Sequence, residues 1–232
     1  MNVDDVDAVL LDMDGTLVDS DAAVERAWVA WCAEYGVDPA AALAVAHGRP
    51  AAGTVRELRP DLSDDEVTLA AGRQLELQYD DLSDVEATPG ACTLLIELTR
   101  RGLPWAVVTS AVHPLALARL GAAGIQPPVL VTVDEVAAGK PAPDCFLLAA
   151  HRVGVDPARC LVVEDAQAGI QAGQAAGARV AALRGLPADL TLADLHALAD
   201  LFDQGSRARP GRRAAGQPLS GAAGQPLAGA AG

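Results

Sequence analysis

Acidic residues follow two apolar segments of the sequence, at points where buried strands are expected to end. Asp12 and Asp14 come directly after residues 8–11. Glu164 and Asp165 come directly after a second apolar run. Alternate residues of an extended chain point to the same side, so Asp12 and Asp14 present their carboxylates together. A carboxylate and a neighbouring backbone carbonyl supply oxygen ligands of the kind that a hard cation prefers. Asp followed by Gly is also a common turn, so the first pair alone is not diagnostic.

Two other polar segments carry hydroxyl groups and a cation. Thr109 and Ser110 end a run of aliphatic residues. Hydroxyl groups at the end of a strand can donate hydrogen bonds to the oxygens of an anion. Ser and Thr also cap helices routinely, which is the structural alternative for this pair. Lys140 lies between Gly139 and Pro141, so a stiff loop delivers its ammonium group. The alternative for Lys140 is a surface lysine in a turn.

The elements that position these residues alternate between strands and helices. Short aliphatic runs predict strands that are buried on both faces, as in a parallel sheet. The predicted strands are residues 8–11, 105–109, 129–133, 160–163 and 179–183. Pro near the start and Gly after the end delimit the predicted helices at residues 90–101, 114–123, 143–153 and 166–176. This alternation predicts an α/β fold with a doubly wound parallel sheet.

The stretch between the first strand and Pro89 interrupts the alternation and has helical patterns only. Helices are expected at residues 21–35, 51–58 and 63–79. We interpret residues 19–86 as an inserted helical cap, with residues 1–18 and 87–203 forming the α/β core. Such an insertion lies over the carboxyl ends of the strands, where open α/β sheets bind ligands.

The C-terminal segment differs in composition from the rest of the chain. Residues 204–232 consist mainly of Gly, Ala, Pro, Arg and Gln, and the sequence AAGQPL occurs twice. Such a segment cannot bury enough apolar surface to offset the entropy lost on ordering. We expect a disordered tail that is not needed for activity.

The composition excludes several classes of partner and site. The chain has 232 residues and a formal net charge of −14, which argues against nucleic acid or an anionic membrane as partner. No apolar run is long enough for a membrane helix, and the N-terminus lacks the pattern of a signal peptide. The cysteines are scattered without CxxC spacing, which is poor material for a zinc site or a disulfide framework. A cytoplasmic monomer or weak dimer is the expectation.

The four polar signatures occur together, in one order and on strand ends, and in this combination the chain resembles the haloacid dehalogenase superfamily. The matching segments are Asp12-Met13-Asp14-Gly15-Thr16, Thr109-Ser110, Lys140 and Glu164-Asp165. The insertion point resembles that of members with a helical cap after the first strand. The segments Val18-Asp19-Ser20, His47-Gly48-Arg49 and 139–144 look closest to bacterial sugar phosphatases and β-phosphoglucomutase-like proteins. The resemblance covers residues 9–198.

The resemblance implies a magnesium-dependent phosphatase that hydrolyses a small sugar or polyol phosphate through a phospho-aspartate. Asp12 is then the nucleophile and Asp14 the general acid and base. Thr109, Ser110 and Lys140 are expected to bind the phosphoryl group. The residues expected to hold Mg²⁺ are Asp12, Asp14, Glu164 and Asp165.

The resemblance also points to the cap segment His47-Gly48-Arg49 for substrate selection. Arg49 is the candidate for reading distal hydroxyls or a second anionic group of the substrate. A solvated arginine before Pro50 is the structural alternative.

Competing functions are compatible with parts of the pattern. A phosphomutase similar to β-phosphoglucomutase has the same core and cap, but the basic cap pattern expected of a mutase is not obvious in residues 73–80. A receiver-type phospho-acceptor domain places its acceptor on a later strand and lacks a cap. A dehalogenase needs neither a metal nor Asp14. Hydrolysis of a phosphate ester is therefore the preferred prediction.

Overall fold

The structure, a computed structural model, describes residues 3–46 and 50–208. Its strands in chain order are β1 Ala8–Leu11, β2 Val18–Asp19, β3 Glu86–Ala87, β4 Trp105–Val108, β5 Leu130–Val131, β6 Cys160–Glu164, β7 Arg179–Ala182 and β8 Leu190–Thr191. Within the described residues the main sheet has six strands in the order β5-β4-β1-β6-β7-β8, and every neighbouring pair is parallel. β2 and β3 form a separate antiparallel pair.

Helices cover both faces of the sheet and form the insertion. The cap helices are α1 Asp21–Tyr35, α2 Pro39–Ala46, α3 Ala51–Leu58 and α4 Asp64–Leu77. The core helices are α5 Ala91–Arg101, α6 His113–Ala122, α7 Asp144–Val153, α8 Gln167–Ala175 and α9 Leu195–Ala208. No helix in the described part of the chain is long and apolar enough to cross a bilayer.

The central strand β1 contributes to both hydrophobic layers because its side chains alternate between the two faces of the sheet. Val9 and Leu11 pack into the layer that contains residues of α5, α6 and α9. Ala8 and Leu10 pack into the opposite layer with residues of α7 and α8. Since both faces are covered, all of β1 is buried. The predicted doubly wound fold is confirmed.

The cap has a hydrophobic core of its own, centred on α1. Trp31 is fully buried, packs edge-on against Trp28 and stacks on Tyr35. Its indole N–H donates to the carbonyl of Ala70 on α4 at 2.9 Å, so the ring is both buried and hydrogen-bonded. This packing joins α1 to α4 and gives the cap a fixed shape above the sheet.

The observed elements differ from the predicted ones at a few boundaries. The third predicted strand shortens to β5, because the side chain of Thr132 and that of Glu135 form a capping box that begins a 3₁₀ turn. Five elements were not predicted: α2, α9, β2, β3 and β8. Helix α9 continues to Ala208, past residue 204 where the tail was expected to begin, and residues 209–232 lie outside the described residues. The pair β2–β3 lies at the expected junctions of the insertion, and the division into domains stays a prediction.

Candidate active site

The carboxyl ends of β1, β4 and β6 meet at one edge of the sheet. Leu11 is in register with Val107 on one side and with Val163 on the other. Asp12 continues β1 beyond this point and its N–H donates to the carbonyl of Val163 at 3.0 Å. The register therefore brings the residues that follow these strands into one cluster.

Lys140 links the carboxylates that follow β1 and end β6. Its Nζ lies 2.5 Å from Asp12 Oδ1 and 2.7 Å from Glu164 Oε1, and it also donates to the carbonyl of Val108 at 3.0 Å. The Lys140 side chain is 5% exposed and that of Glu164 is 1% exposed. All three ammonium protons therefore have acceptors, which fixes the cation beside Asp12.

The cluster carries more negative than positive charge. Burial, together with the nearby carboxylates Glu164 and Asp165, holds the pKa of Asp12 well above its usual value, against the opposing effect of Lys140. Burial disfavours the charged form of Lys140, but Asp12 and Glu164 outweigh it and raise the pKa of Lys140 above its usual value. These opposing charges leave a deficit of positive charge around Asp12.

Oxygen atoms of Asp12, Glu164 and Asp165 lie within 4.8 Å of one another, which is a spacing that a metal ion could bridge. Glu164 already has protein partners on both oxygens: Lys140 on Oε1, and the backbone N–H groups of Asp165 and Ala166 on Oε2 at 3.1 and 3.2 Å. Asp165 Oδ2 lies 2.9 Å from Arg184 Nε. Asp12 and Asp165 are therefore the better candidates for binding a cation, since the Glu164 carboxylate is held by Lys140 and two backbone N–H groups.

Gly15 allows the chain after Asp14 to pass close to this acidic cluster. Its φ is +80°, and a Cβ placed there would lie 2.1 Å from Asp165 Oδ2. Both the positive φ and the close approach require glycine at this position.

Asp14 lies at the rim of the cluster and is held by two donors. Its Oδ1 accepts from Ser20 Oγ at 2.7 Å and from Arg119 Nη1 at 2.8 Å. Ser20 was noted in the sequence only as part of a longer resemblance, and Arg119 was missed. Arg119 lies on α6, where a basic residue in an amphipathic pattern is normally solvent-exposed.

The two hydroxyl residues after β4 have different surroundings. Thr109 is buried and its Oγ1 accepts from the N–H of Ala111 at 3.0 Å, so its side chain shapes the turn. Ser110 is exposed. Both residues line the same cavity as Asp12 and Lys140, and Ser110 is the more exposed of the two.

A cavity of about 600 Å³ separates the strand ends from the cap. Its floor includes Asp12, Asp14 and Lys140, and its cap side includes Trp28, Gln74 and Gln78. His47, Gly48 and Arg49, which the sequence suggested for substrate selection, lie outside the described residues. Their sequence neighbours Ala46 and Pro50 line the cavity.

Known proteins match this chain in sequence and in structure. The family model described as haloacid dehalogenase-like hydrolase matches residues 6–177. Hexitol phosphatase A of Escherichia coli is 43% identical over 181 residues, which are 78% of this chain and 83% of that protein. 2-Deoxyglucose-6-phosphate phosphatase 1 of Saccharomyces cerevisiae is 34% identical over 194 residues, 74% of this chain and 77% of that protein.

A solved structure shares the whole architecture at lower identity. The crystal structure of β-phosphoglucomutase from Clostridium difficile superimposes with a TM-score of 0.75 and 19% identity. The match covers 88% of this chain and 100% of that chain. At this identity the likeness concerns the fold, including the helical insertion.

Proposed function

The chain belongs to the haloacid dehalogenase-like hydrolase family, and we propose that it is a magnesium-dependent phosphatase acting on a small sugar or polyol phosphate. The observation that carries this proposal is the buried carboxylate of Asp12 at the floor of the cavity, 2.5 Å from Lys140 Nζ and beside Asp14 and Asp165. This arrangement joins a nucleophile, a cation and an acid/base group at one point.

Charge explains why a nucleophilic carboxylate needs these neighbours. A carboxylate approaching a phosphate dianion is repelled by about 4 kcal/mol for each pair of unit charges at ~4 Å and an effective dielectric near 20. Since about 1.4 kcal/mol is a factor of ten in rate, uncompensated repulsion slows attack by several orders of magnitude. Lys140 offsets part of this repulsion because its ammonium group already contacts Asp12.

The excess of carboxylates fits a divalent cation beside Lys140. Asp12, Asp165 and the backbone carbonyl of Asp14 would hold Mg²⁺, which when bound neutralises phosphoryl charge and polarises the phosphorus. Glu164 was grouped with these ligands on sequence alone. We assign it instead to holding Lys140, since its two oxygens have three protein donors.

The chemistry follows from the positions of the side chains. Asp12 attacks phosphorus and forms an acyl phosphate as the bond to the ester oxygen breaks, and Asp14 gives that oxygen a proton. Asp14 then takes a proton from the water that attacks the phosphoenzyme, which releases inorganic phosphate and restores Asp12. Ser110 holds a phosphoryl oxygen, and Thr109 shapes the turn that presents Ser110. Lys140, whose three protons have protein acceptors, contributes its positive charge beside Asp12.

The cavity suits a polyhydroxylated leaving group. Its volume lies in the ordinary range for small-molecule sites. On the cap side the amides of Gln74 and Gln78 offer hydrogen bonds, and Trp28 offers an apolar surface for carbon atoms. The relatives' names, a hexitol phosphatase and a 2-deoxyglucose-6-phosphate phosphatase, agree with this class of substrate.

A phosphomutase is the second candidate, because the fold matches that of β-phosphoglucomutase. A mutase must bind a second phosphate group on the cap side of the cavity. Among the described cap residues that line the cavity none is Lys or Arg, while Arg49 lies outside the described part.

The receiver-type alternative is disfavoured because the acceptor position follows β1 and a cap is present. Hydrolysis is therefore preferred.

The test is a panel of hexitol, hexose, pentose and glycerol phosphates, assayed with Mg²⁺ for release of inorganic phosphate. Glucose 1-phosphate is also assayed for isomerisation to glucose 6-phosphate. We expect phosphate release from at least one member and its loss on chelation of Mg²⁺. Isomerisation without net release would support the mutase, and release that persists in chelator would overturn the metal assignment.

A further inference from the structure

Arg119 is a buried cation whose partners connect the core to the cap. Its side chain is 3% exposed although arginine is seldom fully buried. Nη1 donates to Asp14 Oδ1 at 2.8 Å, and Nη2 donates to Gln78 Oε1 at 2.6 Å. One guanidinium group therefore contacts the candidate acid/base and a residue that follows α4 of the cap.

The connection continues into the cap. Gln78 Nε2 donates to Gln74 Oε1 at 2.7 Å, and Gln74 is a buried residue of α4. Asp14, Arg119, Gln78 and Gln74 all line the cavity. They form a continuous chain of hydrogen bonds from the floor of the site to the cap, with Arg119 as the link between the two parts.

The contacts of Asp14 show what this chain does at the reacting end. Ser20 and Arg119 both donate to Oδ1, and the described residues donate no hydrogen bond to Oδ2. Binding through one oxygen fixes the plane of the carboxylate and leaves the other oxygen available for proton exchange. Arg119 is 3% exposed and its Nη1 and Nη2 contact Asp14 and Gln78, so we assign it a role that acts through Asp14.

We propose that Arg119 is a positioning residue that orients Asp14 for proton transfer and, through Gln78, makes this orientation depend on the position of the cap. This inference rests on the proposed phosphatase function, in which Asp14 protonates the leaving oxygen. Loss of the Arg119 contact lets the carboxylate rotate, so the proton is delivered less well. Esters whose leaving group needs that proton are then affected most.

Two aryl esters separate this role from a general loss of structure. Phenyl phosphate needs protonation of its leaving oxygen more than p-nitrophenyl phosphate, whose leaving group is stable as an anion. The value of kcat/KM reports steps up to formation of the phosphoenzyme, so it isolates the first proton transfer. We expect Arg119→Gln to lower kcat/KM for phenyl phosphate at least tenfold more than for p-nitrophenyl phosphate.

Gln78→Leu removes only the link to the cap. We expect the same selective loss, about threefold to tenfold, and no further loss when Gln78→Leu is added to Arg119→Gln, because both changes break one chain. The control is Gln174→Leu, an exposed glutamine of α8 outside the cavity, which should leave the ratio of the two esters unchanged. Melting temperatures of all variants report whether burial of an altered side chain has disturbed the fold.

Equal loss on both esters, or additive losses in the double variant, would overturn the positioning role. Gln78→Leu also tests the proposal alone, where Arg119→Gln is unstable. The p-nitrophenyl ester demands little of Asp14 in the first step, so a loss confined to phenyl phosphate in Gln78→Leu still identifies the positioning role. Failure of the proposed function gives a different result: the unaltered protein would release no phosphate from either ester in the presence of Mg²⁺.

Discussion

Gly169 tests whether the position of Glu164 supports the reaction centre. A Cβ on Gly169 would lie 1.7 Å from Glu164 Oε1, 1.9 Å from its Cδ and 2.4 Å from Oε2. The carboxylate is held by Lys140 at 2.7 Å and by two backbone N–H groups. It cannot move away from a methyl group without losing some of these bonds. Gly169→Ala therefore displaces Glu164 or shifts the start of α8.

The size of the effect follows from the bonds that are lost. Breaking a buried ion pair on one side destabilises a protein by about 3–5 kcal/mol, and Lys140 keeps Asp12 and Val108 as partners, so about 3 kcal/mol is expected here. A hydrogen bond to a charged group contributes about 1.5–3 kcal/mol. If loss of the Glu164 hydrogen bond weakens the positioning of Lys140 by about 1.5–3 kcal/mol in the transition state, kcat falls about 10-fold to 100-fold. The helix propensity of Ala acts in the opposite direction, by about 0.5–1 kcal/mol.

The assay combines urea unfolding with steady-state kinetics on p-nitrophenyl phosphate. Gly121→Ala is the matched control, because a Cβ at Gly121 of α6 meets no heavy atom within 4 Å. The control should be as stable as the unaltered protein or slightly more stable, with unchanged kcat. If Gly169→Ala behaved like the control in both measurements, the assigned packing of Gly169 against Glu164 would be wrong.

Two other predictions concern the charges around the site and the loop before Lys140. Arg184 Nε lies 2.9 Å from Asp165 Oδ2, and the Arg184 side chain is partly exposed. Arg184→Ala should therefore strengthen Mg²⁺ binding about fivefold by calorimetry, in line with ~1 kcal/mol for such a pair. Unchanged or weaker binding would contradict this prediction. The Arg152 guanidinium lowers the pKa of Glu135 from 4.5 to about 2. Glu135 therefore contributes stability above pH 4.5 that is lost as pH falls towards 2. Glu135→Gln should lower the free energy of unfolding by about 1 kcal/mol at neutral pH. Urea titrations should show that the difference in this free energy between the variant and the unaltered protein shrinks below pH 4.5. A difference independent of pH would refute the ion pair.

The strand ends were accessible to prediction because their signal is local. A short aliphatic run followed by a polar residue marks both the strand and the edge where its ligands lie, and Asp12 was placed this way. Lys140 was instead singled out by its position between Gly139 and Pro141. The roles of Glu164 and Asp165 were less well resolved, since both acids were grouped as metal ligands. Successive residues at the end of a strand point to opposite sides, and this rule already separates the two carboxylates. Only the structure places Glu164 on Lys140.

Other features left no local pattern. α2 is rich in alanine and apolar on all sides, so it lacks the periodicity that identifies an amphipathic helix. Arg119 pairs with Asp14 across 105 positions of the sequence, and a single basic residue in α6 gives no hint of a distant partner. The close approach of Gly169 to Glu164 likewise depends on how α8 packs on β6. Such contacts are set by tertiary packing and not by neighbours in the chain.

The most direct test of the central claim is to trap the phosphoenzyme on Asp12. The protein is quenched in acid during turnover of p-nitrophenyl phosphate with Mg²⁺, and borohydride then reduces any aspartyl phosphate to homoserine, which peptide mass spectrometry locates. We predict modification at Asp12 alone, with neither modification nor turnover in Asp12→Asn and both retained in Asp80→Asn, a change at an exposed aspartate outside the cavity. Modification at another residue, or continued hydrolysis by Asp12→Asn, would contradict the covalent role of Asp12.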